Sequence, residues 1–396
     1  MKKQRLYYTT TLFNEIYLNA HTENKEPYFL KAEKIPFGLA QTLLGSALIL
    51  LLFPVLYFFY IVFQGARFFI EVFKTDSQEL KCGEYFLATA YFASSINERI
   101  NKYAPRTIWL LNSTIKKADF VIQSDYAISI KQVLKPKDIL NSFWDSFLTP
   151  FIIWKKFGHY YLLVSLNSFN WYTYFYAASK IPFDSELFFL DHKDRWALLE
   201  DKVLVRKKSL IQHGKEAAVT PKNRVVVADG VYCHDMPYKF KTIDTVYCFS
   251  EKEYIALTHS IISNTPQKVI IGFDFKTTPV ETSAFSVLII GNQELFANVE
   301  EQIIAGLQDK EVVLYVKGHP TQSNVFYQQL LTKYYFHLIK GSEFPMVNMV
   351  VSYSSTLALE YESVGVEVLY HTVLSLDKII NIIESRRNEY TAGKGH

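Results

Sequence analysis

Short apolar runs of strand length, separated by stretches with helical spacing, recur through the second half of the chain: Val203–Val205, Val225–Val227, Thr245–Phe249, Lys268–Ile271, Val287–Ile290, Val312–Val316 and Val347–Val351. Runs this short and this rich in β-branched residues predict buried strands. Strands that alternate with helices predict doubly wound α/β sheets, because each crossover helix covers a sheet face. The first half is less regular. Phe86, Ala90, Ala93 and Ile100 predict a helix over Glu84–Tyr103, stopped by Pro105, and Thr107–Leu111, Phe120–Ile122 and Tyr160–Ser165 read as strands. Asn141–Lys156 reads as a helix with an aromatic face of Trp144, Phe147, Phe151 and Trp154, suited either to the core or to lipid. At 396 residues the chain has room for two domains and an appendage. A cluster of Gly272, Thr277, Thr278, Pro279 and Ser283 marks a linker. The expected organisation is a segment 1–36 of open structure, an apolar segment 37–74, a first α/β domain 75–275 and a second 276–396.

The strand ends carry the chemistry. In an open α/β sheet ligands sit beyond the carboxyl ends of the strands. Val312–Val316 stops at Lys317-Gly318-His319-Pro320, which places a cation, a flexible glycine and a histidine stiffened by proline there. Val347–Val351 leads through Ser352-Tyr353-Ser354-Ser355-Thr356 into a helical spacing over Leu357–Tyr361. Those hydroxyls fall at a helix N-terminus, where free amides and the positive end of the dipole favour an anion such as phosphate.

Lys317-Gly318-His319-Pro320, the acidic Glu343 and then Ser354-Ser355-Thr356, in that order, resemble the donor half of bacterial sialyltransferases of the GT-B type, over residues 205–370. The resemblance implies two facing Rossmann-like domains, with the first on the acceptor side and the second binding a CMP-sugar. It implies that His319 contacts the donor phosphate and assists departure of CMP, that Glu343 holds the ribose hydroxyls, and that Ser354 and Ser355 bind the phosphate. An acidic-acidic-Gly motif supplies the general base in that family. The matching stretch here is Val225–Gly230, with Ala228 in place of one acid and Asp229 as the remaining carboxylate. Ile211-Gln212-His213-Gly214 is a further polar strand end, similar to His-Gly turns in capsule and teichoic-acid transferases, so His213 is a second candidate base.

The implied reaction is inverting transfer of sialic acid or a related nonulosonic acid from a CMP-sugar to a cell-surface glycan or glycolipid. A buried carboxylate can take the acceptor proton, and a histidine can assist the leaving group. Lys317, His319 and the Ser354-Ser355 helix terminus would balance the charge of one departing phosphate, so neither a metal nor a cofactor is required, and no clear D-x-D pair is present. A CMP-Kdo or CDP-glycerol transferase would share the cytidine site, and a non-catalytic membrane-bound assembly subunit would keep the fold without the reaction. A formal charge of +3 gives no reason to expect nucleic acid. Three cysteines, Cys82, Cys233 and Cys248, without C-x-x-C spacing fit a reducing compartment and no zinc site. Cys233-His234-Asp235 is no ligand cluster, since adjacent side chains diverge on a strand.

Between Lys34 and Arg67 there is no charged residue, and Leu43–Phe63 is almost wholly apolar. A bilayer-spanning helix needs about 20 such residues, so membrane lipid is an expected partner. Six Lys or Arg residues before Phe37 favour a cytoplasmic N-terminus. A single crossing would export the rest of the chain, away from nucleotide sugars. A re-entrant or in-plane arrangement bent at Pro54 keeps both ends at the cytoplasmic face of the inner membrane. Phe68, Phe69, Val72 and Phe73, with Arg67, Glu71 and Lys74 among them, extend it as an amphipathic tail.

Overall fold

The computed structural model describes residues 43–89, 106–112, 127–190, 196–212, 214–217, 225–228, 230–273, 275–280, 282–319, 324–341, 343–353 and 355–394, with residues 8, 12, 13 and 102 besides. These form two compact units: residues 1–213, 234–248 and 254–269, and residues 214–233, 249–253 and 270–396. Each is built on a parallel sheet, so the chain has the α/β class and the pair of sheet units that a GT-B chain consists of.

The first unit contains helix α1 (Leu43–Phe73) and a seven-stranded sheet of β1 (Glu84–Ala88), β2 (Ile108–Leu111), β3 (Ala127–Ser129), β4 (Glu186–Phe189), β5 (Lys207–Ile211), β8 (Thr245–Cys248) and β9 (Gln267–Ile270), in the order β3-β2-β1-β4-β5-β8-β9. Its central strands are buried on both faces, and Tyr85 to Ala88 are fully inaccessible. Helix α2 (Pro136–Phe157), a 3-10 stretch (His159–Asn167) and helix α3 (Ser168–Ala178) follow β3. Helix α1 is fastened to this unit by a stripe of Phe53, Tyr57, Ile61, Phe68 and Val72, each at most 8% exposed. The spacing of four and seven keeps that stripe on one face. Tyr57 donates its hydroxyl to the Ser146 carbonyl at 2.8 Å and lies 2.9 Å from Ser168 Oγ. Glu71 pairs with Lys131 at 2.6 Å.

The second unit holds β10 (Ser286–Ile290), helix α4 (Gln293–Gly306), β11 (Val313–Lys317), helix α5 (Val325–Leu330), β12 (His337–Leu338), β13 (Met349–Ser352), helix α6 (Thr356–Ser363), β14 (Glu367–Tyr370) and helix α7 (Leu376–Lys394). The strand order is β12-β11-β10-β13-β14, all parallel. The chain runs outward from β10 to one side, then returns to lay β13 and β14 on the other. The order therefore reverses at β10, the place where open sheets of this kind leave a crevice.

Several local expectations give way to tertiary structure. Val225–Ala228 (β6) joins neither parallel sheet and instead pairs antiparallel with Val231–Cys233 (β7). Gly230 turns this hairpin at φ +78°, a conformation that suits glycine. The hairpin also groups with the second unit, not with the first where the sequence places it. The strand expected at Val203–Val205 lies at β5, whose two lysines disguise it. The Lys208 ammonium is buried and satisfied by the Asp201 carbonyl at 2.5 Å and Thr242 Oγ1 at 3.0 Å. Glu84–Ala88 is a strand rather than a helix start, and 90–100 lie outside the described residues, as do Phe120–Ile122. Tyr160–Ser165 is helical because Leu162 packs under Phe53, Tyr57 and Ile61 instead of entering a sheet. Helix α1 runs unbroken through Pro54, so the bend expected there is not a helix break. Pro54 removes one backbone hydrogen bond, and packing of the buried stripe against the rest of the unit offsets that loss.

If the buried stripe holds α1, Tyr57→Phe should lower unfolding stability in mild detergent by about 1–2 kcal/mol, because the Ser146 carbonyl loses its donor in a buried place. Tyr57→Ala should cost about 3–5 kcal/mol. Equal stability of all three proteins in denaturant titrations would mean that α1 is not packed as described.

Candidate functional site

Parallel register brings four strand ends level. Ile290 lies beside Lys317 on one side and Ser352 on the other, and Ser352 lies beside Tyr370. The residues that follow, Gly318, Gly291, Tyr353 and His371, form the carboxyl edge of the second sheet. The edge is tied across: the Gly291 N–H donates to the Lys317 carbonyl at 2.9 Å and the His371 N–H to the Ser352 carbonyl at 3.0 Å.

Tyr327, on α5, forms the floor under this edge. A Cβ on Gly291 would stand 2.0 Å from its hydroxyl, and a Cβ on Gly318 would stand 2.9 Å from its ring and 2.6 Å from Asn324 Oδ1. Both glycines are required by this close approach, since Tyr327 is only 1% exposed and has nowhere to move. Its hydroxyl donates to Glu300 Oε2 at 2.7 Å, and Glu300 Oε1 accepts the Asn292 N–H at 2.5 Å. Burial raises the Glu300 carboxyl above its ordinary value, partly opposed by those two hydrogen bonds. Tyr353 is pushed up to about 12, chiefly by burial and then by the Glu300 charge, with a hydrogen bond to Asn292 opposing.

The sequence-expected residues divide into three groups. His319 follows Gly318 at the β11 end; burial pushes its imidazole below 6.5, with Glu294 partly opposing. The Lys317 ammonium is committed elsewhere: it donates to the Gly341 carbonyl at 2.6 Å and the Glu343 carbonyl at 3.2 Å, and sits 4.9 Å from the centre of the Phe344 ring. It thus fixes the turn that carries Glu343, whose carboxylate is exposed. Ser355 is the N-cap of α6, accepting the Ala358 N–H at 3.1 Å and lying 3.1 Å from Ser352 Oγ, and Thr356 opens the helix. His213, Asp229, Pro320 and Ser354 lie outside the described residues.

Beside the His213 position, Lys215 donates to the Tyr370 hydroxyl at 3.4 Å with its ammonium 4.9 Å from that ring centre. The Glu216 N–H donates to Glu253 at 2.7 Å. The loop that follows His213 is therefore held at the β14 end, one residue from His371.

His371 escapes the sequence reading, as do Gly291 and Asn292. The signal was present: Val368-Leu369-Tyr370 before His371 repeats the apolar run and polar stop that marks His319. Phe296 packs edge-on against His371 with ring centres 5.0 Å apart, and His371 Nε2 is buried without a hydrogen-bond partner. Burial lowers this imidazole to about 4. Both histidines of the edge are neutral at neutral pH, so each acts there through a neutral ring nitrogen, as donor or acceptor according to tautomer. Among the described residues no group of three or more His, Cys, Asp or Glu is placed to hold a metal ion.

No protein-family model and no curated protein matches the sequence. Among solved structures, the chain is similar to Anabaena Alr3699/HepE in complex with UDP-glucose (TM-score 0.43, 9% identity, 77% of this chain and 89% of that one). It is similar to Acinetobacter baumannii MurG (TM-score 0.37, 10% identity, 79% and 93%) and to the wall teichoic acid polymerase TagF (TM-score 0.35, 11% identity, 85% and 92%).

Two outcomes follow from this geometry. Gly291→Ala should lose about 1–3 kcal/mol by overpacking against Tyr327. Adding Tyr327→Phe, which removes the clashing hydroxyl, should cost less than the two single losses combined; simple additivity in a double-mutant cycle would contradict the packing account. For His371, the unfolded chain takes a proton near pH 6.5 and the folded chain only near 4. Its contribution is thus full above pH 6.5 and is lost as pH falls towards 4, by up to about 3 kcal/mol. His371→Phe should flatten that part of the stability profile, and an unchanged slope would place the ring in water.

Proposed function

We propose that this chain is a membrane-associated inverting glycosyltransferase that moves sialic acid or a related acidic sugar from a CMP-sugar to a cell-surface glycan or glycolipid acceptor, at the cytoplasmic face of the inner membrane. The observation that carries this reading is the level row of strand ends at the reversal point of the second sheet, where His319, Ser355, His371 and the start of α6 converge on one carboxyl edge. That edge is where a doubly wound sheet receives a nucleotide.

In the proposed reaction the acceptor hydroxyl oxygen attacks the anomeric carbon, and the bond from that carbon to the CMP phosphate oxygen breaks. The hydroxyl proton passes to Asp229 or His213. Charge grows on the departing phosphate, which the N–H of neutral His319 and the amides at the α6 terminus would stabilise. Lys317 serves this site by fixing the Glu343 turn rather than by meeting the phosphate, and Glu343 would take the ribose hydroxyls.

Release of the nucleotide by the full chain in detergent tests the reading, with CMP-sialic acid, CMP-Kdo and CDP-glycerol (each releasing CMP) and UDP-glucose (releasing UDP) compared as donors. The expected result is turnover with CMP-sialic acid, reduced about 10²-fold or more by His319→Ala, as for loss of a positioned proton or hydrogen-bond donor. Turnover of CDP-glycerol or UDP-glucose alone would move the donor class, and no turnover of any would leave a non-catalytic assembly subunit. A severe Asp229→Asn with a mild His213→Ala identifies the carboxylate as the base; the reverse identifies the imidazole.

A further inference from the structure

Helix α1 presents two different faces. Its inner stripe is buried on the first unit, while Leu52, Leu56, Phe59, Phe63 and Ile70 on the other side are each at least half exposed. Helix α2 has the same division: Ile139, Thr149 and Ile153 are buried, while Leu140, Trp144, Phe151 and Trp154 are more than half exposed. The two outer faces are continuous. Phe58 of α1 meets Phe147 of α2 with ring centres 6.1 Å apart, and Phe147 in turn meets Trp144 at 6.2 Å and Phe151 at 6.4 Å. An apolar surface of this extent on a folded chain marks an interaction site.

The occupant follows from three features. The surface is closed by cations at both ends of α2, with Lys135 and Lys137 at its start and Lys155 and Lys156 in its last turn. Between Asp138 and Lys155 the one charged side chain, Asp145, is 2% exposed. Exposed tryptophans beside a greasy strip with basic ends fit the boundary between acyl chains and anionic headgroups. A second protein copy would have to bury those lysines against its own.

The third feature is geometric. Among the described residues, Leu52–Phe73 is the stretch long and apolar enough to cross a bilayer. That same stretch is fastened along its length, from Phe53 and Tyr57 at one end to Phe68 on Phe169 and Glu71 on Lys131 at the other. It cannot cross without drawing the α/β unit into hydrocarbon, where loops and charges find no water. We infer that α1 and α2 together form a platform lying in the plane of the membrane, seated in one leaflet that contains anionic lipid, and that α1 does not span. This rests on the membrane association proposed above and goes beyond it by fixing the topology and adding α2 to the contact.

Depth measurement tests the platform. Spin labels at Leu52→Cys, Phe59→Cys, Phe63→Cys and Ile70→Cys on α1 and at Trp154→Cys on α2, in the full chain with Cys82→Ser, can be read by oxygen and nickel accessibility in phosphatidylcholine vesicles containing phosphatidylglycerol. All five positions should lie at one shallow depth, about 5–10 Å into the headgroup and acyl boundary. Trp144→Ser, Phe151→Ser and Trp154→Ser combined, which alter only exposed positions, should weaken vesicle binding by about tenfold or more, as should omission of phosphatidylglycerol. A steady change of depth from position 52 to 70, on the order of 27 Å, would show a crossing and overturn the inference while leaving membrane association intact. Labels that stay in water, or that are shielded by a second copy without vesicles, would overturn both. Glycosyl transfer is not read, so neither outcome bears on the donor site.

Discussion

Everything proposed for the second unit depends on the register of its parallel sheet. Hydrogen bonding between neighbours sets Lys317, Ile290, Ser352 and Tyr370 level. A slip of one residue on any strand would turn its side chains to the opposite face and move its end out of the row. The buried pattern of β10, whose five residues are all inaccessible, makes such a slip costly. The Tyr327–Glu300 pair then fixes the floor, and the absence of a side chain at Gly291 and Gly318 lets backbone and tyrosine meet. The edge is thus a rigid platform of backbone and neutral rings. Its electrostatics come from a helix terminus and two uncharged imidazoles more than from an exposed cation.

The first unit solves a different problem. A helix as apolar as α1 must hide from water somewhere, and its two faces find two partners. The inner face is inside the protein, where Tyr57 also satisfies backbone and hydroxyl groups of α2 and α3. The outer face continues onto α2 through an edge-to-face contact of Phe58 with Phe147. Because one surface of the helix is committed to the α/β body, the orientation of that body relative to a membrane is set by the same contacts that stabilise it.

Where apolar runs and polar stops coincide, sequence and structure agree closely: β10, β11 and β13 lie within two residues of their expected ends, and Ser355 caps the helix predicted after it. The misses have physical causes. Lys207 and Lys208 concealed β5, because a buried ammonium with two oxygen partners looks in sequence like a surface residue. The hairpin β6–β7 reads as a parallel strand until its partner is seen, since three valines do not encode direction. Lys317 read as a phosphate ligand because a cation at a strand end suits an anion, and the carbonyls that occupy it lie 24 and 26 residues away. His371 is hard to read from sequence because β14 opens with Glu367, which hides a strand of only four residues. The aromatic face of α2 is legible from its spacing, but its exposure and its continuity with α1 depend on contacts across 89 residues of sequence that no local pattern encodes.

The central claim, that the carboxyl edge of the second sheet receives a nucleotide, is tested most directly by amide hydrogen exchange of the full chain with and without CMP. The account predicts slowed exchange confined to the segments after β10, β11, β13 and β14, around 291–293, 318–319, 353–356 and 371. Protection confined instead to the strand ends of the first sheet, or no change anywhere at saturating CMP, would contradict it.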